Sequence, residues 1–414
     1  MTEEPLDDDS GAAEPESPAA VPLLRPADGL PAVVADPTAL LRTAEQFASG
    51  TGPIAVDAER ASGFRYSQRA YLVQLRRAGS GTALVDPIPL ASDLAPLAPA
   101  LTGPEWVLHA ANQDLACLAE VGLAPSKLFD TELAGRLAGL PRVGLGPMVE
   151  QLLGLSLEKG HGAADWSRRP LPEDWLVYAA LDVEVLVELR DVLAGVLAEQ
   201  GKLDWAMQEF EAVRTAGPPA PRPEPWRRTS GIHKIRKARP LAIVRALWEA
   251  RDRLAAERDI APGRVLPDAA IVDAAVTAPE TPQALASMAV FRGRSQRRLT
   301  NYWFTAVAQA AKLDAAALPH PSPPNDGPPP VARWSDRSPD AAARLAAARA
   351  VLAAVAQQWT VPVENLLQPD LLRRLCWTPP VDGDVAATLR KGGAREWQIE
   401  LLATHLEVAL AAHA

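Results

Sequence analysis

The sequence predicts an α/β protein in which a mixed β-sheet flanked by helices precedes one or two all-α helical domains. Three observations carry that prediction. Residues 53–59 (PIAVDAE), 70–77 (AYLVQLRR) and 81–87 (GTALVDP) read as consecutive short strands. Their connections are too short for crossover helices, so they should form an antiparallel meander. Residues 105–111 (EWVLHAA) supply a fourth strand, followed by a helix that begins near Asn112 and stops at Gly122. Past a proline-rich break the chain turns wholly helical, as in PLAIVRALWEARDRLAAERD (240–259), with apolar residues at three-four spacing.

Within the first unit, further helices are expected at about 147–154 and 172–199, the latter opening with Pro172, Glu173 and Asp174 in its first turn. Residues 1–28 are acidic and rich in Pro, Ala and Ser, a composition that reads as disordered. The stretches AGPPAPRPEPW (216–226) and PHPSPPNDGPPP (319–330) cannot sustain a helix and read as linkers. The expected units are therefore an α/β domain at 29–212, a linker at 213–230, a helical domain at 231–315, a linker at 316–334 and a helical domain at 335–414. The two helical units are similar in size, which allows a degenerate duplication.

The chain has 414 residues, 48% of them hydrophobic and 22% charged, the composition of a globular protein. No uncharged apolar run is long enough to span a bilayer. The opening MTEEPLDDDS has neither a basic nor an apolar leader region, so no signal peptide is expected. Cys117 and Cys376 lie in apolar helical patterns without metal-ligand spacing, which fits a reducing, cytoplasmic compartment. The net charge of −9 is unevenly spread. Residues 1–36 hold nine acids and one arginine, so the remainder sums to about −1, and 221–260 carries eleven Lys/Arg against five Asp/Glu. That basic belt is either a nucleic-acid surface or a solvated helix face.

Four carboxylates stand out. Asp57 and Glu59 are two apart at the end of an apolar strand, so both leave one face, where they repel each other unless a cation neutralises them. Hard divalent metals take such oxygen ligands, although a pair of surface acids would look the same. Asp114 is expected in the first turn of the helix after the fourth strand, where the helix dipole favours an acid. Asp182 sits on a helix among apolar neighbours and needs solvent or a partner, and Tyr178, four residues earlier, shares its face.

Taken together, a DxE on a strand, an Asp opening a helix and a YxxxD on a later helix resemble the DEDD exonucleases with tyrosine in the third motif, whose fold is a ribonuclease H-like mixed sheet flanked by helices. The longer blocks resemble the ribonuclease D family: VDAERASGFRYSQRAYLVQLRR (56–77), HAANQDL (109–115), FDTELAGRLAGL (129–140) and EKGHGAADWSRRPLPEDWLVYAALDVEVL (158–186). Residues 239–285 resemble an HRDC domain, and the final segment looks like a second, divergent HRDC-like copy.

This resemblance implies a 3′–5′ exoribonuclease that trims structured RNA such as tRNA precursors, releasing nucleoside 5′-monophosphates with two divalent ions, Mg²⁺ or Mn²⁺. Asp57, Glu59, Asp114 and Asp182 would hold the ions, and Tyr178 would orient the attacking water, since a phenol of pKa about 10 is a poor base at neutral pH. The partner implied is RNA with a free 3′ end, the protein acting off the membrane, with a monomer favoured. Phe64 and Tyr66 are candidates to stack on a terminal base. Lys159, Arg168 and Arg169 are candidates for upstream phosphates. His109 is either structural or part of the site wall. Trp166 and Trp175 could stack on bases, but a core position is the commoner situation for tryptophan and is preferred. Arg245, Arg251, Arg292, Arg294, Arg297 and Arg298 form either a basic surface for the body of the RNA, the reading preferred, or an ordinary salt-bridged helix face. Arg60, directly after the DxE, is expected to point away from the acids by strand alternation. A DNA-directed exonuclease and a non-catalytic RNA-binding protein are the competing readings. The first lacks polymerase or helicase motifs to support it, and the second would be expected to have lost a metal ligand.

Overall fold

The computed structural model describes residues 20–158, 160–217, 220–322 and 327–413. Its centre is a six-stranded sheet. The strands are β2 (Val33–Val34), β3 (Thr51–Glu59), β4 (Leu72–Ala78), β5 (Gly81–Val85), β6 (Glu105–Leu108) and β7 (Lys127–Asp130), in the order β2-β5-β4-β3-β6-β7. The β3-β4-β5 meander is antiparallel as the short connections require, while β2, β6 and β7 join in parallel, so the sheet is mixed. A separate two-stranded sheet pairs β1 (Val21–Leu23) in parallel with β8 (Leu155–Leu157).

That pairing corrects the expectation of disorder through residue 28. The backbone of Val21–Leu23 finds partners in β8 although the segment lies within a stretch, residues 1–28, that is acidic and proline-rich as a whole. Residues 1–19 lie outside the described residues. The helix expected at 172–199 is two helices, Glu173–Glu184 and Leu186–Glu199, because Val185 (φ −99°, ψ −9°) interrupts the regular turn. Around Asp114 a 3₁₀ turn (Ala111–Gln113) gives way to a short helix (Leu115–Glu120), so Asp114 sits at the junction and its side chain caps nothing.

Alternation along β3 sorts its side chains. Ile54 and Val56 are fully buried in the core on one face. Asp57 pairs with Gln74 and Glu59 with Leu72 across the ladder, on the other face. There Leu72, Leu84, Ala179, Ala180 and Trp166 pack together, so helix Glu173–Glu184 lies over the acid-bearing face of the sheet. Trp166 is fully buried beside Trp175, with ring centroids 5.3 Å apart, and donates from its indole N–H to the His161 carbonyl at 3.1 Å. Both tryptophans therefore belong to packing, the preferred of the two expectations.

The helical part departs from the expected linkers. Helix Leu203–Thr215 runs into the first one, and Trp226 near its end is buried in the core of the second domain with the Arg227 guanidinium 4.3 Å from its ring centroid. Trp334, near the end of the second linker, is also fully buried. Residues 226–318 form their own core around Leu247, Ile271 and Trp303. The final segment instead shares one continuous core with the α/β domain. There Trp205 stacks on Trp397 (4.9 Å, 13°), while Glu209 accepts the Trp397 indole N–H at 3.1 Å and pairs with Arg395 at 2.7 Å. Arg251 is buried and bound to Asp268 at 2.6 Å and to the Leu266 carbonyl at 3.0 Å, so it is a core anchor, not part of a nucleic-acid surface. Among the described residues no helix is long and apolar enough to cross a membrane.

Candidate active site

The acids and the tyrosine of the cleft at the end of the acid strand come from three elements. β3 supplies Asp57 and Glu59, the turn after β6 supplies Asp114, and helix Glu173–Glu184 supplies Tyr178 and Asp182. These five residues line one open cleft of about 840 Å³, together with His109, Arg60 and the segment after β8. Carboxylate oxygens of Asp57, Glu59 and Asp182 lie within 4.8 Å of one another. Asp114 is outside that trio but faces the same space.

Such crowding is electrostatically costly. Burial raises Asp57 to about 6. Burial first, then repulsion from Asp57, Asp182 and Asp114, pushes Glu59 up to about 10. Burial and the Asp57 charge raise Asp114 to about 8, against the opposing pull of Arg60. Burial, then Asp57, also lifts Asp182 well above the usual carboxylate range, although Tyr178 donates a hydrogen bond to it. Among the described residues the single ion pair reaching the four acids is Arg60 to Asp114. A nest of oxygens within 4.8 Å, with so little cation to balance it, fits hard divalent metal ions. The Tyr178 hydroxyl is held protonated, raised above its ordinary value by burial and then by Asp182, Glu59 and Asp57.

The turn that delivers Asp114 depends on a residue that sequence reading did not single out. Ala110 takes a left-handed conformation (φ 58°), which a non-glycine residue adopts only when held. Asp130, at the end of β7, holds it. Its carboxylate accepts the N–H groups of Ala110 (3.1 Å) and Ala111 (2.8 Å), and also caps the next helix through Glu132 (2.9 Å) and Leu133 (3.2 Å). The FDTE block carried this signal, since an Asp before Thr and Glu reads as a helix cap. His109, beside the turn, contacts the Thr131 hydroxyl through Nδ1 at 2.9 Å and forms part of the cleft wall. Burial lowers its pKa to about 4, so it is neutral.

Several expected RNA contacts are placed elsewhere. Phe64 lies under the Arg264 guanidinium (4.1 Å), and Tyr66 packs on the second domain's core with its hydroxyl on Asp252 at 3.2 Å. Both rings are thus engaged by the helical domain, which corrects their assignment to base stacking. Arg169 is bidentate on Asp86 (2.6 and 2.7 Å) and donates to the carbonyls of Tyr71, Trp166 and Arg168, so its fork is committed to structure and not to phosphate. Lys159 lies outside the described residues. Arg168 is exposed, as are Arg292, Arg294, Arg297 and Arg298 on two short consecutive turns. Arg60 is a further correction: β3 ends at Glu59, alternation lapses with it, and the side chain turns towards Asp114 (Nε to Oδ1, 3.5 Å).

Comparison with known proteins places these features in company. A 3′–5′ exonuclease family model matches residues 31–198, an HRDC model matches 241–307, and a model of the 3′ to 5′ exonuclease C-terminal domain matches 327–410. The last segment, expected as a second HRDC-like copy, thus matches a model with a different description. The chain is 32% identical over 360 residues to Ribonuclease D of Gluconacetobacter diazotrophicus, across 82% of this chain and 88% of that protein. A solved protein from Bifidobacterium adolescentis superposes with TM-score 0.89 at 38% identity, covering 95% of this chain and 100% of the other. Escherichia coli RNase D, described as an exoribonuclease involved in structured RNA processing, gives TM-score 0.65 at 25% identity, covering 92% and 98%.

Proposed function

The chain belongs to the ribonuclease D family and is a 3′–5′ exoribonuclease, and from that premise we propose that it trims the 3′ ends of structured RNAs, tRNA precursors among them, one nucleotide at a time. The observation that carries this reading is the set of four buried or half-buried acids in one cleft beside a protonated tyrosine.

Asp57, Glu59, Asp114 and Asp182 are the residues that would hold two divalent ions, Mg²⁺ or Mn²⁺. When bound, such ions acidify a water and offset charge on the phosphate and on the departing oxygen. The rest is work for the chain itself. Tyr178, kept as a phenol, donates one hydrogen bond to Asp182 and its oxygen can accept another from the attacking water, fixing that water in line without taking its proton. The water gives up a proton to solvent and its oxygen bonds to phosphorus while the bond from phosphorus to the penultimate 3′-oxygen breaks. The electron pair goes to that oxygen, which takes a proton from solvent, and the terminal nucleotide departs as a 5′-monophosphate. Neutral His109 on the wall suits a ribose hydroxyl. Arg168 suits an upstream phosphate, and the exposed arginines at 292–298 suit the body of a folded RNA.

The test is a pair of substrates of one sequence, a linear structured RNA with a free 3′-hydroxyl and its circularised form. The linear RNA is expected to shorten stepwise with Mg²⁺ or Mn²⁺ while the circle stays intact. Cutting of the circle would contradict an exonuclease reading.

A further inference from the structure

Arg60 is a cleft residue whose chemistry the reading above leaves unused. Its guanidinium stands 3.5 Å from Asp114 at Nε and makes no hydrogen bond among the described residues. Arg169, by contrast, has its fork filled by Asp86 and three carbonyls. The Arg60 side chain keeps 26% of its surface exposed, and that surface opens on the cleft. Arg142 also borders the space but is 67% exposed and turned to Glu150 at 3.5 Å. Arg60 is therefore a cation among the acids whose N–H groups have no hydrogen-bond partner among the described residues.

Charge balance says what it is available for. Four carboxylates with two divalent ions are neutral together, so the scissile phosphodiester adds one uncompensated negative charge, and more develops as the fifth oxygen attacks. Once Asp114 serves as a metal ligand, the loose pair with Arg60 loses its partner. A planar fork with free N–H groups matches the non-bridging oxygens of a phosphate. Resting on the exonuclease reading, we propose that Arg60 is a further catalytic residue, one that exchanges its contact with Asp114 for the scissile phosphate and stabilises the charge that phosphate gains in the transition state.

The test compares wild type with Arg60→Ala and Arg60→Lys on one structured RNA, alongside Mn²⁺ binding measured without RNA by titration calorimetry. Arg60→Ala should lose about 100-fold in kcat, the scale of removing one donor to a developing oxyanion, with KM changed little. Arg60→Lys, which keeps the charge but not the fork, should fall between the two. Mn²⁺ should bind Arg60→Ala as tightly as wild type or tighter, because a competitor for Asp114 is gone. A kcat within twofold of wild type would overturn the assignment, as would Mn²⁺ affinity falling in step with kcat, the mark of a merely structural role. If wild type itself leaves the RNA intact, the exonuclease reading fails. If only the Arg60 variants behave like wild type, the failure is confined to Arg60.

Discussion

Asp259, in the HRDC-matching domain, accepts the backbone N–H of Ser67 at 2.9 Å, tying that domain to the loop that leaves the acid strand. Further bonds reinforce the tie, among them Ala261 N–H to the Phe64 carbonyl (3.0 Å) and Arg264 Nε to the Gly63 carbonyl (2.7 Å). Gly63 and Ser62 of the same loop line the cleft. The helical domain thus braces one wall of the site.

A brace of this kind matters even for a substrate too short to reach the helical surface. Asp259 has φ 47°, so Asp259→Gly keeps the backbone comfortable while removing the acceptor for Ser67 and the ion pair with Arg69 (3.7 Å). Combined with Arg264→Ala, it should lower kcat/KM on a single-stranded RNA of about four nucleotides by roughly 5–20-fold, through a looser wall. Unchanged turnover of that short RNA would mean the domain serves only to grip long substrates.

Asp130 should prove as important to stability as to the placement of Asp114. Its carboxylate serves four backbone N–H groups and is 2% exposed. Asp130→Ala strands donors that water does not reach and frees the strained Ala110 turn. The expected cost is about 2–4 kcal/mol, read as a lower urea midpoint. Asp130→Asn, which keeps an acceptor, should cost less.

The pH dependence follows from the raised carboxyls. Each binds its proton more tightly in the folded protein than in the unfolded chain, where acids titrate at about 4. Metal-free stability should therefore fall as pH rises from about 4 through the folded values of about 6 for Asp57, 8 for Asp114 and 10 for Glu59. Metal binding needs the deprotonated forms, so Mn²⁺ affinity should rise between pH 6 and 8 and protons should be released on binding. Calorimetry in two buffers of different ionisation enthalpy measures that release. A proton count of zero at pH 7 would contradict the raised values.

Much of this was legible in the sequence because it rests on period and spacing. The meander followed from connection length, whereas the convergence of Asp57, Glu59, Asp114, Tyr178 and Asp182 was implied by the resemblance of the ordered motifs to the DEDD exonucleases, since each acid alone also fitted a plain structural role. What was hidden depends on contacts between distant segments. Alternation gave the wrong direction for Arg60 because it holds only while the strand continues, and β3 stops at Glu59. Phe64 and Tyr66 looked free because nothing local shows that a domain almost two hundred residues away covers them. Arg169 beside the third motif and Arg251 in the basic belt looked like surface cations, yet each has a carboxylate partner brought in by the fold. The Val21–Leu23 strand likewise exists because β8 offers it an edge, which composition does not encode.

The most direct test of the central claim is 3′-end trimming of a labelled structured RNA with Mn²⁺ or Mg²⁺, comparing wild type with Asp57→Asn. The account predicts shortening one nucleotide at a time by wild type, abolished by EDTA and reduced at least about 1,000-fold by the substitution. RNA left intact by wild type with either metal, though bound, would contradict it, as would an Asp57→Asn variant that trims at the wild-type rate.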